Sequence, residues 1–203
     1  VEDVLASRMV ADPFRLLDCA MTSEGGAGLV LTSAERAADL DVQPVYLLGG
    51  GTDKQGMAYV TAPVWDQYGD VGRRAASQAF EQAKIGPQDV DVLEIYDPFS
   101  FEIIRQLEVF GFCGSGEGGD FVMDGHLRMD GAFPAVTNGG LMSFGHAGLA
   151  QLLQKPISAV QQLRGEYPEA LTVDGARVAL TSNGGSGALF TDVLLLGTER
   201  TRQ

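Results

Sequence analysis

The sequence predicts an α/β fold, because segments with a two-residue apolar period alternate with segments of helical period, and strand-like runs end in glycines. No repeat, low-complexity tract or charge block interrupts that alternation. Residues 28–33 (GLVLTS) and 44–51 (PVYLLGGG) read as strands, the second closed by three glycines. A helix is expected from about Val71 to Ala83, with Ala75, Ala76, Ala79, Phe80 and Ala83 on one face and Gly86-Pro87 as its stop. Residues 89–96 (DVDVLEIY) read as a buried strand. Asp97 and Pro98 then suit the cap and first turn of a helix whose apolar face is Phe99, Ile103, Ile104, Leu107 and Phe110. A later helix running toward 158–166 (SAVQQLRGE) is expected to bend near Pro156. Residues 178–197 read as two strands joined by a loop from Ser182 to Gly187.

A chain of 203 residues, 45% hydrophobic and 20% charged, has the composition of a globular protein with one sizeable core. Its 27 acidic against 14 basic residues give a net charge of −13, which repels nucleic acid and anionic membrane surfaces as general partners. Cys19 and Cys113 are too few and too far apart to form a disulfide framework or a zinc site, so no metal is expected and a reducing cytoplasm fits. No run approaches the roughly 20 apolar residues of a membrane span. The start, VEDVLASRMV, has neither a signal-peptide plan nor an initiator methionine, so the chain reads as a fragment or a trimmed form.

Three places invite a ligand. Tyr96 falls at the carboxyl end of a strand and beside a helix N-terminus, where open α/β sheets bind ligands; a packed, hydrogen-bonded tyrosine fits the same position. His146, in the segment 137–151 (TNGGLMSFGHAGLAQ), stands between Gly145 and Gly148, which let backbone approach a ligand. The run Ser182-Asn183-Gly184-Gly185-Ser186-Gly187 is either a plain hairpin loop or a set of close N–H groups for a developing oxyanion. Residues 114–119 (GSGEGG) match a dinucleotide-binding pattern, but they lack its strand-then-helix setting and read instead as a loop shaping the mouth of a site. His126 reads as an exposed loop histidine.

The order of VDVLEIYDPFSF, GFCGSGEGGDF, NGGLMSFGHAG and SNGGSGAL, preceded by DCAMTSEGGAGLVL, resembles the thiolase superfamily, in its sterol-carrier or lipid-transfer branch. The resemblance implies a thiolase-like fold: residues 1–40 would be the end of the N-terminal half, and 41–203 a βαβαβαββ C-terminal domain with a mixed sheet covered by helices. The portion that carries the nucleophilic cysteine in thiolases would lie outside these residues. By the same resemblance, His146 stands in the Gly-His motif whose histidine contacts the thioester oxygen. Tyr96 stands where thiolases have an asparagine or histidine of an oxyanion hole, and Asp97 where an acidic residue is usual. The resemblance also places Ser182, Asn183, Gly184, Gly185 and Gly145 as substrate or oxyanion contacts.

Two departures qualify the likeness. No cysteine lies in ALTSNGGSG, where classical thiolases carry the base for Claisen chemistry. Ala147-Gly148-Leu149-Ala150 replaces the usual proline and small-residue run after the histidine. The expected activity is therefore retro-aldol cleavage of a β-hydroxyacyl-CoA, as in thiolase-like aldolases that shorten steroid side chains. Coenzyme A would enter as part of the substrate, with no separate cofactor. The implied partners are a second copy in a homodimer and a small OB-fold, acyl-CoA-associated protein. The alternatives are an acyl-CoA C-acyltransferase of lipid degradation and a non-catalytic lipid-binding or scaffolding module.

Overall fold

The structure, a computed structural model, describes residues 1–54, 69–185 and 190–200. The chain begins with a short helix α1 (Glu2–Ala6), a small hairpin of β1 (Met9–Ala11) and β2 (Phe14–Arg15), and one turn of helix, α2 (Ala34–Ala37). Residues 28–33, expected as a strand, have no regular structure, and Val30 is 94% exposed. Apolar alternation produces a strand only where a neighbouring strand takes up its N–H and C=O groups, and none of the described strands does so here.

The main sheet consists of β3 (Tyr46–Lys54), β4 (Val92–Glu94), β5 (Val178–Gly185) and β6 (Phe190–Gly197), in the order β3-β6-β5-β4. The β3–β6 and β6–β5 pairs are antiparallel and β5–β4 is parallel, so the sheet is mixed, as the thiolase resemblance implied. Residues 134–136 add a rung beyond β4: Leu93 N–H donates to Pro134 O at 2.9 Å and Val136 N–H to Leu93 O at 2.8 Å. The Ser182–Gly185 stretch, expected as loop, is the end of β5; Ser186 and Gly187 lie outside the described residues.

Helix α3 (Arg73–Ala83) has Ala75, Ala76, Ala79, Phe80 and Ala83 buried, the predicted face. It lies so close to β3 that a Cβ on Gly49 or Gly51 would collide with the carbonyls of Ala79 and Ala75. The glycine run of β3 is thus explained by helix–sheet packing. Helix α4 (Ser100–Phe110) contributes Leu107, Val109 and Phe110 to the same core, together with Leu93, Ile95, Leu180, Val193 and Leu195 from the sheet. Short helices α5 (Gly118–Met123) and α6 (Gly140–Phe144) follow. Helix α7 (Gln151–Leu163) continues through Pro156 and packs on the opposite face of the sheet, where Ala159 and Leu163 meet Val92, Ala179 and Leu196.

One expectation is corrected: Asp97 does not cap α4. The N-cap residue of α4 is Phe99, with no side-chain cap bond. The Asp97 carboxylate instead accepts from the first N–H groups of α6, Leu141 at 3.1 Å and Met142 at 3.5 Å. Among the described residues no helix is long and apolar enough to cross a membrane.

Candidate active site

Tyr96 lies two residues beyond the end of β4 and reaches the end of β5. Within β4, Val92 meets α7 residues while Leu93 points into the opposite core; the Tyr96 ring passes over Gly184, whose position in β5 puts it on the side of Ser182. The Tyr96 hydroxyl lies 3.1 Å from His146 Nε2, although 50 residues separate them, and the two rings meet edge to face with centroids 6.0 Å apart. Tyr96 is 9% exposed and His146 half-buried. A phenol and an imidazole in hydrogen-bond contact can pass a proton between them, which is the equipment of acid–base catalysis.

The backbone of Tyr96 is clamped on both sides. Its N–H donates to Ser182 Oγ at 3.1 Å, Ser182 Oγ–H donates to Gln106 Oε1, and Gln106 Nε2 donates back to Tyr96 O at 2.6 Å. Ser182 and Gln106 are both buried, so this ring of bonds is shielded from water. The side chains of Ser182 and Asn183 point to opposite faces of β5. Ser182 meets Gln106 of α4, while Asn183 Nδ2 donates to Leu152 O of α7 at 2.9 Å and its N–H to Asp192 Oδ1 at 3.0 Å. Gly184 lies under the tyrosine ring; a Cβ there would stand 3.3 Å from Tyr96 Cδ1. Gly185 closes β5 opposite Phe190.

His146 is held by a segment from near the chain start. Its N–H donates to Met21 O at 2.7 Å, and Ser23 N–H donates to His146 O at 3.2 Å. Gly145, at φ +92°, permits this: its N–H closes α6 on Leu141 O at 2.8 Å, and a Cβ would press on Ser23 Oγ. The structure therefore brings Tyr96, His146 and Gly184 together. It places Asp97, Ser182 and Gly145 in the frame that supports them, with their polar groups engaged by protein partners.

A buried charge cluster backs the site. Glu94, Asp97 and Lys155 are all 0% exposed, and the Lys155 ammonium pairs with the Asp97 carboxylate. Glu94 accepts from Thr137 Oγ1 at 3.4 Å, and Gln162 Nε2 donates to that same hydroxyl at 2.7 Å. Burial pushes the Glu94 carboxyl up to about 7, against the opposing pull of Lys155 and Thr137. Gln106 and Lys155 carried no sequence signal, since their partners lie 76 and 58 residues away. Cys19 and Cys113 are free thiols, both raised above the usual range, chiefly by burial. His126 stacks on Phe121 with centroids 4.2 Å apart, away from the pair just described. Among the described residues no group of three or more His, Cys, Asp or Glu could hold a metal ion.

A family model described as "Thiolase C-terminal domain-like" matches residues 64–198, about two thirds of the chain. The chain belongs to that thiolase family. It is 38% identical over 196 residues to "Acetyl-CoA acetyltransferase" of Methanothermobacter thermautotrophicus, covering 92% of this chain and 49% of the relative. It is 37% identical over 176 residues to "17-hydroxy-3-oxo-4-pregnene-20-carboxyl-CoA lyase" of Mycobacterium tuberculosis, covering 81% and 43%. Among solved structures, the "Ltp2-ChsH2(DUF35) aldolase" superimposes with TM-score 0.82 at 29% identity, over 98% of this chain and 51% of that one. The chain thus spans about half the length of these thiolase-family relatives.

Proposed function

We propose that this chain is the C-terminal part of a thiolase-family enzyme that cleaves a β-hydroxyacyl-CoA by retro-aldol chemistry. The observation that carries the proposal is the 3.1 Å contact between Tyr96 Oη and His146 Nε2 beside a β5 end, Thr181–Gly185, that contains no cysteine. Tyr96 takes the proton of the β-hydroxyl. The Cα–Cβ bond breaks, its electrons arrive as an enolate on the thioester oxygen, and return of the proton held by Tyr96 to Cα releases a ketone and a shortened acyl-CoA. A free phenol has a pKa of about 10, so a hydrogen bond from His146 Nε2–H is needed to favour the phenolate. The thioester oxygen is received by the Asn183–Gly185 end of β5, beside His146. One well-placed donor to such an oxyanion contributes about 3–4 kcal/mol. Coenzyme A is part of the substrate, and no separate cofactor is invoked.

The aldolase and lyase named above support the reaction class, and the pairing named in "Ltp2-ChsH2(DUF35) aldolase" supports a partner protein, which in this proposal is a small OB-fold, acyl-CoA-associated one. The proposal includes a homodimer, a cytoplasmic location, and residues 1–40 as the end of an N-terminal half. The 38% identity to an acetyltransferase favours a second reading, a degradative acyl-CoA thiolase whose cysteine lies elsewhere in the polypeptide. Product analysis separates the two. The full-length protein with its partner is given a branched β-hydroxyacyl-CoA and, separately, a β-ketoacyl-CoA with free CoA. Ketone and short acyl-CoA, falling roughly 10²–10⁴-fold in Tyr96→Phe, are expected. Thiolysis of the keto substrate with no retro-aldol product would reject the proposal.

A further inference from the structure

The buried ion pair behind the Tyr96–His146 contact connects to both of its members. Lys155 of α7 has no exposed surface, and its ammonium meets an Asp97 carboxylate that is equally buried. A lysine taken out of water is costly unless an opposite charge is matched to it in place. Asp97 is one peptide bond from Tyr96, and its two oxygens receive the N–H groups of Leu141 and Met142 at the start of α6. Helix α6 is only five residues long and is closed by Gly145, with His146 next in the chain. The Asp97 carboxylate therefore holds Tyr96 through the chain and His146 through α6.

We propose that Lys155 is a positioning residue: its ammonium fixes the Asp97 carboxylate, and through it keeps Tyr96 and His146 within hydrogen-bond reach for acyl-thioester chemistry. This role rests on the function proposed above. Among the described residues, the charged and titratable groups around Lys155 are Asp97 and Glu94, with Tyr167 electrostatically coupled to Glu94 from beyond α7. Thr137 and Gln162 supply the neutral contacts of Glu94. One ammonium thus serves two carboxylates. With Glu94 pushed up to about 7 by burial, the Lys155 charge is matched mainly to Asp97 at neutral pH. Without the ammonium, two acids share a dry site with no cation, which favours an uncharged acid. An uncharged acid is a weaker acceptor for the α6 N–H groups, and α6 with His146 is released from its register.

The test is Lys155→Met, which keeps length and removes charge, in the full-length natural protein with its partner. Two quantities are read: the His146 imidazole ¹⁵N signals, assigned by their loss in His146→Gln, and the kcat and KM for a branched β-hydroxyacyl-CoA. The expected result is a displacement of the His146 signals in the direction seen in Tyr96→Phe, with kcat down roughly 10²-fold and KM changed less than about twofold. Should Lys155→Met fail to fold, the charge-balanced Lys155→Met/Asp97→Asn is measured in its place, with the same displacement expected. A folded variant whose His146 signals stay at wild-type positions overturns the proposal, as does unchanged kcat in an active background. If the wild type has no turnover, the aldolase reading fails, and the imidazole signals still decide the positioning role.

Discussion

The two faces of the sheet are built on opposite plans. Toward α3 and α4 the contacts are mainly hydrocarbon, the buried Ser182–Gln106 pair apart: Ala75, Ala79, Leu93, Ile95, Leu107, Leu180, Val193 and Leu195 form a continuous buried cluster. Toward α7 the apolar cluster shrinks to Val92, Ala159, Leu163, Ala179 and Leu196. Glu94, Asp97, Lys155, Gln162 and Thr137 are buried near it. Non-directional burial holds the first face together, whereas the second depends on pairing each polar group. Buried charge on the second face backs the candidate active site, because it fixes geometry and shifts proton affinities, which hydrocarbon cannot do.

The contrast between the faces breaks if the dry face also governs chemistry, and the largest expected effect tests that. Leu93→Ala removes a fully buried side chain from β4 and is expected to lower stability by about 2–5 kcal/mol in urea unfolding. The folded fraction should keep its turnover of acyl-CoA, since Leu93 belongs to the hydrocarbon cluster and makes none of the contacts of the Tyr96–His146 pair. A fall in activity per folded molecule as large as that of Tyr96→Phe would show that the two faces are not separable.

Glu94 offers a sharper test through pH. Its carboxyl is raised from an ordinary 4.5 to about 7, chiefly by burial, so the native state holds this proton more tightly than the unfolded chain does. The contribution is fully present below about pH 4.5, declines as pH rises toward 7, and is gone above that. The shift corresponds to about 3 kcal/mol. Glu94→Gln removes the titration. The stability of the variant relative to wild type is therefore expected to rise by that amount between pH 4.5 and 7.5, measured by urea unfolding across the range. A difference that stays constant with pH would contradict the burial assigned to Glu94.

Local rules found local features. The buried face of α3, the strand before Tyr96 and the glycine-flanked histidine were legible because each depends on neighbours in sequence. The family resemblance supplied the one long-range inference, that Tyr96 and His146 belong to one site. The errors share a cause. Asp97 looked like a cap for the helix that follows it, yet it caps a helix 44 residues on. Residues 182–185 looked like loop from their glycines, yet pairing with β6 makes them strand. Lys155 carried no signal at all, because only the fold sets Asp97 against it.

The smallest effect concerns the point where the two faces meet, the backbone of Tyr96. Ser182 clamps it with Gln106 from the α4 side, while Asp97, next in the chain, pairs with Lys155 of α7, so Tyr96 is held from both sides of the sheet. Ser182→Ala leaves the Tyr96 N–H and Gln106 Oε1 buried without that hydroxyl, at a cost of about 1–3 kcal/mol in urea unfolding. The ring retains His146 and Gly184 as neighbours, so the kcat loss should be several-fold and well below that of Tyr96→Phe. Gln106→Met removes the other half of the clamp, and its effect should not add to that of Ser182→Ala, because each change breaks the same ring of bonds. Fully additive losses in the double variant would mean that the two residues act on Tyr96 independently.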